Sequence, residues 1–424
     1  MITRHSILCC FVSLFALAST LHATEWYRGN IHMHSFWSDG NVYPEQAVAW
    51  YKDNGYHFVV LSDHTYLQLN PQRWINVGTS AARVALFDQL VERFGQPDTR
   101  EVEGNRQVRL RTINELKEIF DAPGQFLMIP GHEINDSTNG VTLHGLAINV
   151  TETIPFQRGD TLAESINRNA LAVKRNGEEN GHLSAFVLAH PNWPYYDIDP
   201  LSAVNARETI LYEFLNADGC VSRSFDKAED RFWGRELYWD IVTAFRTVRG
   251  YPLMFGVGAD DTHNYTNIRD YSETPGLAWI MVRAEKLEPD TIVRAMIEGD
   301  FYVSTGVEME EIAFDKETGT LSVKVKPVEG VNYRIQFIGT KKDFDQTVIP
   351  FQMERTERNP ARRGWTFSRD IGIELAAFDG VEASYQLKED DLYVRAIITS
   401  DEPKEIHGTF TPRTSSAWTQ PFRR

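Results

Sequence analysis

The chain has 424 residues, of which 42% are hydrophobic and 24% are charged. This composition is typical of a folded enzyme or binding protein, and it argues against a fibrous, disordered or low-complexity chain. At roughly 100 to 200 residues per domain, the length predicts about two domains. The 43 basic and 59 acidic residues give a formal charge of -16, which disfavours non-specific attraction to nucleic acid or to an anionic membrane.

Residues 1–23 are typical of a secretory signal peptide. Arg4 precedes an apolar run from Ile7 to Ala18, and small residues lead to Ala23, after which a signal peptidase could cut. The run is short for a membrane span, so a retained anchor is the weaker interpretation, and no later segment reaches about 18 uninterrupted apolar residues. We therefore expect an exported protein, periplasmic or extracellular, with no membrane span in the mature chain.

Between residue 27 and about residue 300, short β-rich runs alternate with helix-like stretches. The segment PEQAVAWYKDNG predicts a helix with Pro44 in its first turn and Gly55 at its end. Such alternation is typical of βα units around parallel strands, in a barrel or in an open sheet, and in both folds the active site forms at the carboxyl ends of the strands. The predicted strands are Gly29–His34, Phe58–Ser62, Phe126–Pro130, Leu143–Val150, Ala185–His190, Thr209–Leu215, Leu253–Gly258 and Leu277–Val282. The other predicted helices run near Ser80–Phe94, Ile113–Phe120, Leu162–Arg175, Glu236–Val248 and Pro289–Glu298.

The pattern changes after FYVSTG, residues 301–306. The segments LSVKVKP from Leu321, YRIQFIG from Tyr333 and LYVRAIITSD from Leu392 alternate apolar and polar positions, and turn-rich stretches separate them. We therefore predict a separate all-β domain, sandwich-like, over residues 307–424. Its role stays open, because positioning or covering the active site, dimerisation and surface attachment are all compatible with the pattern.

Metal-binding residue types lie where the predicted strands end. His32 and His34 form an H-x-H pair, and residues two apart in a strand point to the same side. Their Cβ atoms would be roughly 6 to 7 Å apart, close enough for one cation to accept both imidazoles. Further residues of these types follow in the segments SFWSDG, LSDH, PGHE, LHGL, LAHP and GADDTH: Asp39, His64, Glu133, His144, His190, Asp261 and His263.

A single histidine in a strand is more often an ordinary core or surface residue than a ligand. The coincidence of several such strand-associated sites favours a metal centre, because charged groups are rarely buried without partners or metals. A mixture of imidazole and carboxylate suits Zn, Mn or Fe, and a carboxylate such as Glu133 can bridge two ions.

The segments IHMHSFWSDG, VVLSDH, IPGHEIN, LHGLAIN, VLAHPN and GADDTH, in this order, resemble the motifs of the PHP (polymerase and histidinol phosphatase) superfamily of metal-dependent phosphoesterases. The resemblance covers about residues 26–305, and the motifs are highly specific as a set. It implies an α/β fold with a distorted seven-stranded β/α barrel over residues 24–306, and two or three divalent metal ions, Zn, Mn or Fe, at its strand ends.

The resemblance also implies how the ligands divide among the ions. Many relatives have histidine at the position of Asp39, although S-D-G is a familiar variant. Asp63, Asp260 and Asn192 match no ligand position, and we expect them to form hydrogen bonds around the site. The implied sets are His32, His34, Glu133 and Asp261 for the first ion, Glu133, His144 and His190 for the second, and Asp39, His64 and His263 for the third.

The function implied by the resemblance is hydrolysis of a small organic phosphate mono- or diester by a metal-activated hydroxide, in a secreted or periplasmic enzyme. Glu133, Asp261 and His263 would be the catalytic residues, and the general acid would be His263 or a metal-bound water. Two other functions stay open: hydrolysis of an amide or another ester on the same centre, and non-catalytic binding of a glycan or a surface. The oligomeric state is not readable from the sequence.

Overall fold

The computed structural model describes residues 24–192, 198–216, 234–268, 273–354, 361–404 and 413–424. The predicted signal peptide, residues 1–23, lies outside these ranges, and export stays a prediction. Within the described ranges, no helix has the length and apolar character needed to cross a membrane. Helices and strands alternate up to residue 298, and the described residues after it form strands and connecting segments.

Local signals in the sequence account for where the helices begin. Proline occupies a first-turn position at Pro44 and Pro289, where its missing N–H costs no intrahelical hydrogen bond. The side chains of Thr112 and Thr161 accept hydrogen bonds from backbone N–H groups of the turns that follow them. The described helices are α1 (Pro44–Asp53), α2 (Ala81–Phe94), α3 (Ile113–Phe120), α4 (Leu162–Asn180), α5 (Pro200–Asn205), α6 (Arg235–Val248) and α7 (Pro289–Glu298).

The strands of the first part are β1 (Glu25–Asn30), β2 (Phe58–Leu61), β3 (Trp74–Asn76), β4 (Thr99–Val102), β5 (Asn105–Arg109), β6 (Leu127–Thr138), β7 (Val141–Ile148), β8 (Ala185–Leu188), β9 (Leu211–Asn216), β10 (Phe255–Ala259), β11 (Trp279–Ala284) and β12 (Phe301–Ser304). Those that follow are β13 (Met309–Asp315), β14 (Thr320–Val325), β15 (Tyr333–Lys341), β16 (Ile349–Met353), β17 (Arg362–Thr366), β18 (Ile373–Asp379), β19 (Glu382–Gln386), β20 (Asp391–Lys404) and β21 (Arg413–Thr419).

Thirteen strands form one mixed sheet in the order β10-β9-β8-β7-β6-β2-β1-β11-β12-β21-β20-β15-β18. Strands β1, β2 and β6 pair in parallel, and so do β8, β9 and β10. Strand β7, however, is antiparallel to both of its neighbours. The α/β class is confirmed, whereas the expectation of parallel βα units was wrong for β7.

A two-residue turn explains this difference. Asn139 and Gly140 connect β6 to β7, with φ angles of 55° and 79°. Two-residue hairpins favour positive φ, and Asn-Gly is the pair that adopts it most readily. The hairpin places Glu133 and His144 on adjacent strands, where they are two positions apart in register. The Asn-Gly pair is a hairpin signal in the sequence. The prediction followed the alternation of strands and helices instead, and so it did not include this hairpin.

Strands β3, β4 and β5 form a separate small sheet in the order β3-β5-β4, inserted between β2 and β6. The sequence pattern predicted only the two helices of this stretch, α2 and α3. Every residue of β4 is exposed, so this strand lacks the apolar alternation that marks a half-buried strand.

The strands after β12 continue the large sheet instead of standing apart from it. Strand β21 pairs with β12, with Tyr302 opposite Thr419. A second, three-stranded sheet, β13-β14-β19, lies next to β15 and β20, where the rings of Phe337 and Tyr385 stack with centroids 5.6 Å apart. The all-β character of the described residues after residue 306 is therefore as predicted, and a domain boundary at that point stays a prediction.

The candidate site lies where buried apolar strands end and polar residues begin. Strands β2 (FVVL) and β8 (AFVL) are buried at every position, as expected of central strands that are covered on both faces. Polar residues follow within three positions of each run, and among them are His64 after β2 and His190 after β8. The end of each strand thus delivers a polar side chain to one edge of the sheet.

Candidate metal centre

The nine side chains predicted as metal ligands lie together in one cluster. Segments that follow β1, β2, β8 and β10 supply seven of them, and the β6–β7 hairpin supplies Glu133 and His144. Ligand atoms fall within 4.8 Å of one another in four overlapping groups: His34, Asp39, His64 and His263; His32, His34 and Asp261; His32, Glu133 and His190; and His64, Glu133 and His144.

The innermost part of the cluster joins the chain after β1 to the chain after β10. Met33 and Thr262 form a parallel bridge, and the backbone N–H of Asp261 donates to the His32 carbonyl at 3.0 Å. This pairing aims the H-x-H and D-x-H residues at one point. Oδ1 of Asp261 lies 3.1 Å from Nε2 of His32 and 3.0 Å from Nε2 of His34.

Glu133 lies at the middle of the cluster and is fully buried. Its Oε1 faces Nδ1 of His144 at 2.8 Å and Nε2 of His190 at 3.4 Å. Its Oε2 faces Nδ1 of His64 at 2.7 Å and Nε2 of His32 at 3.5 Å. The two oxygens of one carboxylate therefore face two different sets of imidazoles, which is the arrangement of a bridging ligand.

Asp39 lies at the outer side of the cluster, and its side chain is 55% exposed. Its carboxylate oxygens lie 3.4 Å from Nε2 of His263 and 3.5 Å from Nε2 of His64. Because His64 also contacts Glu133, this imidazole joins the outer group to the inner one. The ligand sets implied by the motifs did not include that link, and the assignment of residues to individual ions stays a prediction.

Hydrogen bonding within the cluster fits a set of metal ligands. Among the described residues, neither oxygen of Glu133 accepts a hydrogen bond of acceptable geometry, and Nε2 of His32 and Nδ1 of His64 make none either. Burial of a carboxylate is costly unless its charge is compensated, and the imidazole nitrogens 2.7 to 3.5 Å from Glu133 are placed to share cations with it. Imidazole and carboxylate donors in these numbers match Zn, Mn or Fe. The residues present therefore fit divalent metal ions.

The two buried carboxylates are ionised. Burial by itself would raise the pKa of Glu133, but His64, His144 and His32 outweigh it and hold that pKa well below its ordinary value. Burial is likewise outweighed at Asp261, where His32 and a hydrogen bond with His34 hold the pKa well below its ordinary value. Metal ligands must be deprotonated, so both groups are in the state that binding requires.

The imidazoles of the cluster differ in pKa. Burial, together with His263 and His64, lowers the pKa of His34 to about 3, so this imidazole is neutral. At His64, burial is outweighed by Glu133 and Asp39, and the pKa rises to about 11. The pKa of His263 rises to about 9, since Asp39 and Asp261 outweigh burial there. Protonated imidazoles thus balance the carboxylates of the cluster when no cation does.

Glu213 supports the predicted ligands by hydrogen bonds, and the sequence reasoning missed it. It is fully buried in β9, and its Oε1 accepts a hydrogen bond from Nδ1 of His32 at 2.7 Å. Its Oε2 accepts from the backbone N–H of His190 and from Nδ2 of Asn216, and Asn216 also donates to Asp261 at 3.0 Å. A carboxylate on the far nitrogen of a ligand imidazole fixes its orientation and tautomer. The signal was a single acidic residue inside the apolar segment ILYEFLN.

Asp63 holds a segment that carries predicted ligands, and neither Asp63 nor Asp260 forms a side-chain hydrogen bond with a predicted ligand. Asp63 accepts from the backbone N–H of Ser35 at 2.8 Å and from the Ser38 hydroxyl at 2.8 Å, which holds the turn leading to Asp39. Asp260 accepts from three consecutive backbone N–H groups, residues 276–278, at 2.8 Å each. Oδ1 of Asn192 has no hydrogen-bond partner within the described ranges.

Two candidate ligands have a positive φ angle, a backbone conformation that residues other than glycine rarely adopt. The φ angle is 25° at His190 and 51° at Asp261. Such conformations cost on the order of 1 to 3 kcal/mol each and persist only where the surrounding contacts enforce them. Here the backbone N–H groups of both residues are held, by Glu213 at 2.9 Å and by the His32 carbonyl at 3.0 Å. Strain of this kind is concentrated at functional sites.

Comparison with known proteins adds two likenesses among solved structures. A two-domain protein from Bacteroides vulgatus ATCC 8482, named as containing a predicted PHP-like metal-dependent phosphoesterase, has 14% identity and a TM-score of 0.39, over 93% of this chain and 95% of its own. A protein from Bifidobacterium adolescentis ATCC 15703, named as a proposed metal-dependent phosphoesterase, has 14% identity and a TM-score of 0.30, over 56% of this chain and 87% of its own.

No family model matches the sequence, and no curated protein matches it. The superfamily that the motifs resemble is the one in the name of the Bacteroides protein. The geometry of the metal centre, and not these distant likenesses, is the basis of the function proposed below.

Proposed function

We propose that the protein is a metal-dependent phosphoesterase of the PHP type that hydrolyses a small organic phosphate mono- or diester. The observation that carries this proposal is the buried Glu133, whose two carboxylate oxygens face separate sets of imidazoles at 2.7 to 3.5 Å. When bound, a pair of divalent ions lowers the pKa of a water molecule and stabilises the negative charge of the phosphoryl oxygens.

The side chains of the centre divide into buried and accessible groups. Glu133, His32 and Asp261 are almost completely buried and hold the inner geometry. His64 and His263 are partly exposed, with 24% and 21% of their side chains accessible. These two imidazoles therefore face a substrate that arrives from solvent. Of these two, His263 is our candidate to protonate the leaving oxygen when its Nε2 binds no ion, and a metal-bound water is the alternative; His32 is shielded from solvent.

The proposal includes a distorted seven-stranded barrel formed by β1, β2 and β6 to β10. These strands are consecutive in the sheet. Closure of the two ends is supported by the parallel bridge between Met33 and Thr262, and by the hydrogen bond from the His34 N–H to the Thr262 carbonyl at 2.9 Å. The ligands that follow β1 and β10 lie at this junction, so closure would hold them next to one another.

Export to the periplasm or the cell exterior is part of the same proposal, and it is supported by the residue pattern of positions 1–23. Amino-terminal sequencing of the protein from its native source tests it, and a mature start after Ala23 is the expected result.

The decisive experiment measures metal content and hydrolysis in the same preparation. We expect elemental analysis to give two or three divalent ions per chain, and the protein to release p-nitrophenol from p-nitrophenyl phosphate or its bis ester with Mn or Zn. Removal of the ions by a chelator should abolish turnover, and their return should restore it. No turnover of either ester, in protein shown to be metal-loaded, would sink the proposal.

Two further arms distinguish the other functions. p-Nitroanilides and p-nitrophenyl acetate test amide and carboxyl ester hydrolysis on the same centre. The double substitution His32→Ala and His34→Ala tests non-catalytic binding, because a protein that only presents a surface would keep its measurable function without these ligands.

A further inference from the structure

Two guanidinium groups contact the segment from His34 to Asp39 without a carboxylate partner. Arg73 donates from Nη2 to the Trp37 carbonyl at 3.3 Å. Arg83 lies over the ring of Phe36, with its Cζ atom 4.1 Å from the ring centroid. Among the described residues neither guanidinium forms an ion pair, and Nε of Arg73 is buried without a hydrogen-bond acceptor.

Two other arginines of this part of the fold do have carboxylate partners. Arg93 forms a bidentate pair with Asp53 at 2.7 and 2.9 Å, and Arg111 contacts Glu45 at 2.6 Å. The chain has 59 acidic residues against 43 basic ones, so partners are plentiful. A buried donor that lacks an acceptor is a feature that needs an explanation.

The position of the two arginines connects them to the metal centre. The segment that they contact ends at Asp39, the exposed carboxylate 3.4 Å from His263. The side chains of Ser35 and Ser38 are fixed by Asp63, so the turn is a rigid support. The backbone of this segment therefore connects both arginines to the outer side of the centre.

A groove next to this segment offers space for the organic part of such a ligand. It has a volume of about 1070 Å³ and lies between α1 and α2, with Arg83 and Asn41 among its lining residues. Asn41 is two residues from Asp39, and its backbone N–H donates to the His263 carbonyl at 2.9 Å. Asn41 also accepts from the Tyr265 N–H and donates to Thr266, so amide and hydroxyl groups line this end.

We propose that Arg73 and Arg83 bind a second anionic group of the substrate. This inference rests on the proposed function, and it specifies the substrate class: a small phosphate ester whose polar body carries a carboxylate or a second phosphate. The planar guanidinium matches both anions, and a guanidinium stacked on an aromatic ring stays oriented for bidentate contact. Arg73 and Arg83 are thus specificity residues, and they take no part in the chemical step.

A matched pair of esters tests the carboxylate arm. Glycerol 3-phosphate and 3-phosphoglycerate differ in one group, a hydroxymethyl against a carboxylate. We expect the metal-loaded wild type to favour 3-phosphoglycerate in kcat/KM by about tenfold or more, the value of one hydrogen bond to a charged group. Propane-1,3-diol bisphosphate and its monophosphate form the pair for the second-phosphate arm, and the arm with the larger preference identifies the anion.

The variants Arg73→Gln and Arg83→Gln should each reduce this preference, through KM and not through kcat, while turnover of glycerol 3-phosphate stays unchanged. Arg93→Gln is the matched control, because Arg93 lines the same groove but is paired with Asp53. We expect this control to keep the full preference.

Binding without turnover provides an independent readout. Calorimetry with 3-phosphonopropionate and propylphosphonate should show tighter binding to the wild type of the ligand with the additional carboxylate, and loss of this difference in both variants. Equal affinities in the wild type, or a preference that survives both substitutions, would overturn the inference. If no ester is turned over, the proposed function fails, and the calorimetric pair alone decides whether the second anion site exists.

Discussion

Two clusters of buried charge, the metal centre and the contact between α6 and β20, are built in opposite ways. In the metal centre, the oxygens of Glu133 face imidazole nitrogens without accepting a hydrogen bond of acceptable geometry from any described residue. In the second cluster, Arg395 donates from Nε and Nη2 to the two oxygens of Asp240 at 2.9 and 2.6 Å. The Tyr393 hydroxyl donates to Asp240 as well, at 2.8 Å.

The difference separates a site that is completed by a ligand from a contact that is completed by the fold. Both oxygens of Asp240 accept hydrogen bonds within the chain, so its charge is compensated at the contact between the α/β part and the carboxy-terminal strands. The charges of the metal centre are held close together while their ligand atoms stay without ordinary hydrogen bonds. Buried charge by itself is therefore no sign of function, and the two clusters differ in whether the carboxylate oxygens accept hydrogen bonds from the described residues.

Substitution of the bridging carboxylate should have the largest effect. Glu133→Gln removes the charge that faces two sets of imidazoles, so we expect loss of bound metal and a fall in kcat/KM of at least about a thousandfold. Elemental analysis and turnover of a chromogenic phosphoester measure the two changes. Asp240→Asn is the matched control, a buried carboxylate changed to an amide in the other cluster, and it should lower stability while metal content stays the same. Equal metal content in both variants would contradict the comparison.

Breaking the second cluster should mainly affect folding. Arg395→Met leaves Asp240 buried with one remaining hydrogen-bond partner among those described, so we expect the free energy of unfolding to fall by about 3 to 5 kcal/mol. Chemical denaturation measures this change. Combining Arg395→Met with Asp240→Leu removes both charges and should recover most of the loss. A double variant no more stable than the single one would show that the ion pair is not the source of the effect.

The smallest of the three effects concerns Glu213, which contacts Nδ1 of the predicted ligand His32, the nitrogen that faces away from the other ligands. Glu213→Gln keeps an acceptor for Nδ1 of His32 but removes the charge, so we expect metal affinity to fall by about 10- to 100-fold. Competition with a chelator measures the affinity. Glu208→Gln, an exposed position before the same strand, should leave it unchanged. A loss of stability in Glu213→Gln with unaltered affinity would place Glu213 with the structural charges instead.

Much of the candidate site was readable from the sequence, because ligand residues follow apolar runs directly. In LSDH and LAHP the buried strand ends three and two residues before the histidine, and strand ends meet at one edge of a sheet. Glu213 escaped this reasoning because it lies inside a strand, where an acidic residue shows no local partner. Arg73 and Arg83 escaped it too, since a missing ion pair becomes visible only when every neighbour has a position.

The fold was readable to a similar extent. Helices α3 and α7 begin and end as the sequence predicted, because capping residues and apolar periodicity are local signals. The pairing of β12 with β21, by contrast, joins residues more than 100 positions apart, and so does the contact of Asp240 with Arg395. No local pattern encodes such partners, since many apolar strands could pair with β12 equally well before the whole chain is in place.

The sequence by itself determined the residue types of the metal centre, the alternation of strands and helices, and the all-β character of the described residues after residue 306. Those features depend on local periodicity and on which side chains can hold a cation. Only the tertiary structure decided that Glu133 faces two sets of imidazoles, that Glu213 supports His32, and that β21 extends the sheet of the α/β part. These features depend on contacts between residues that are far apart in the chain. Such contacts matter for the free energy because a charge that is removed from water needs a nearby group of opposite charge or a hydrogen-bond partner.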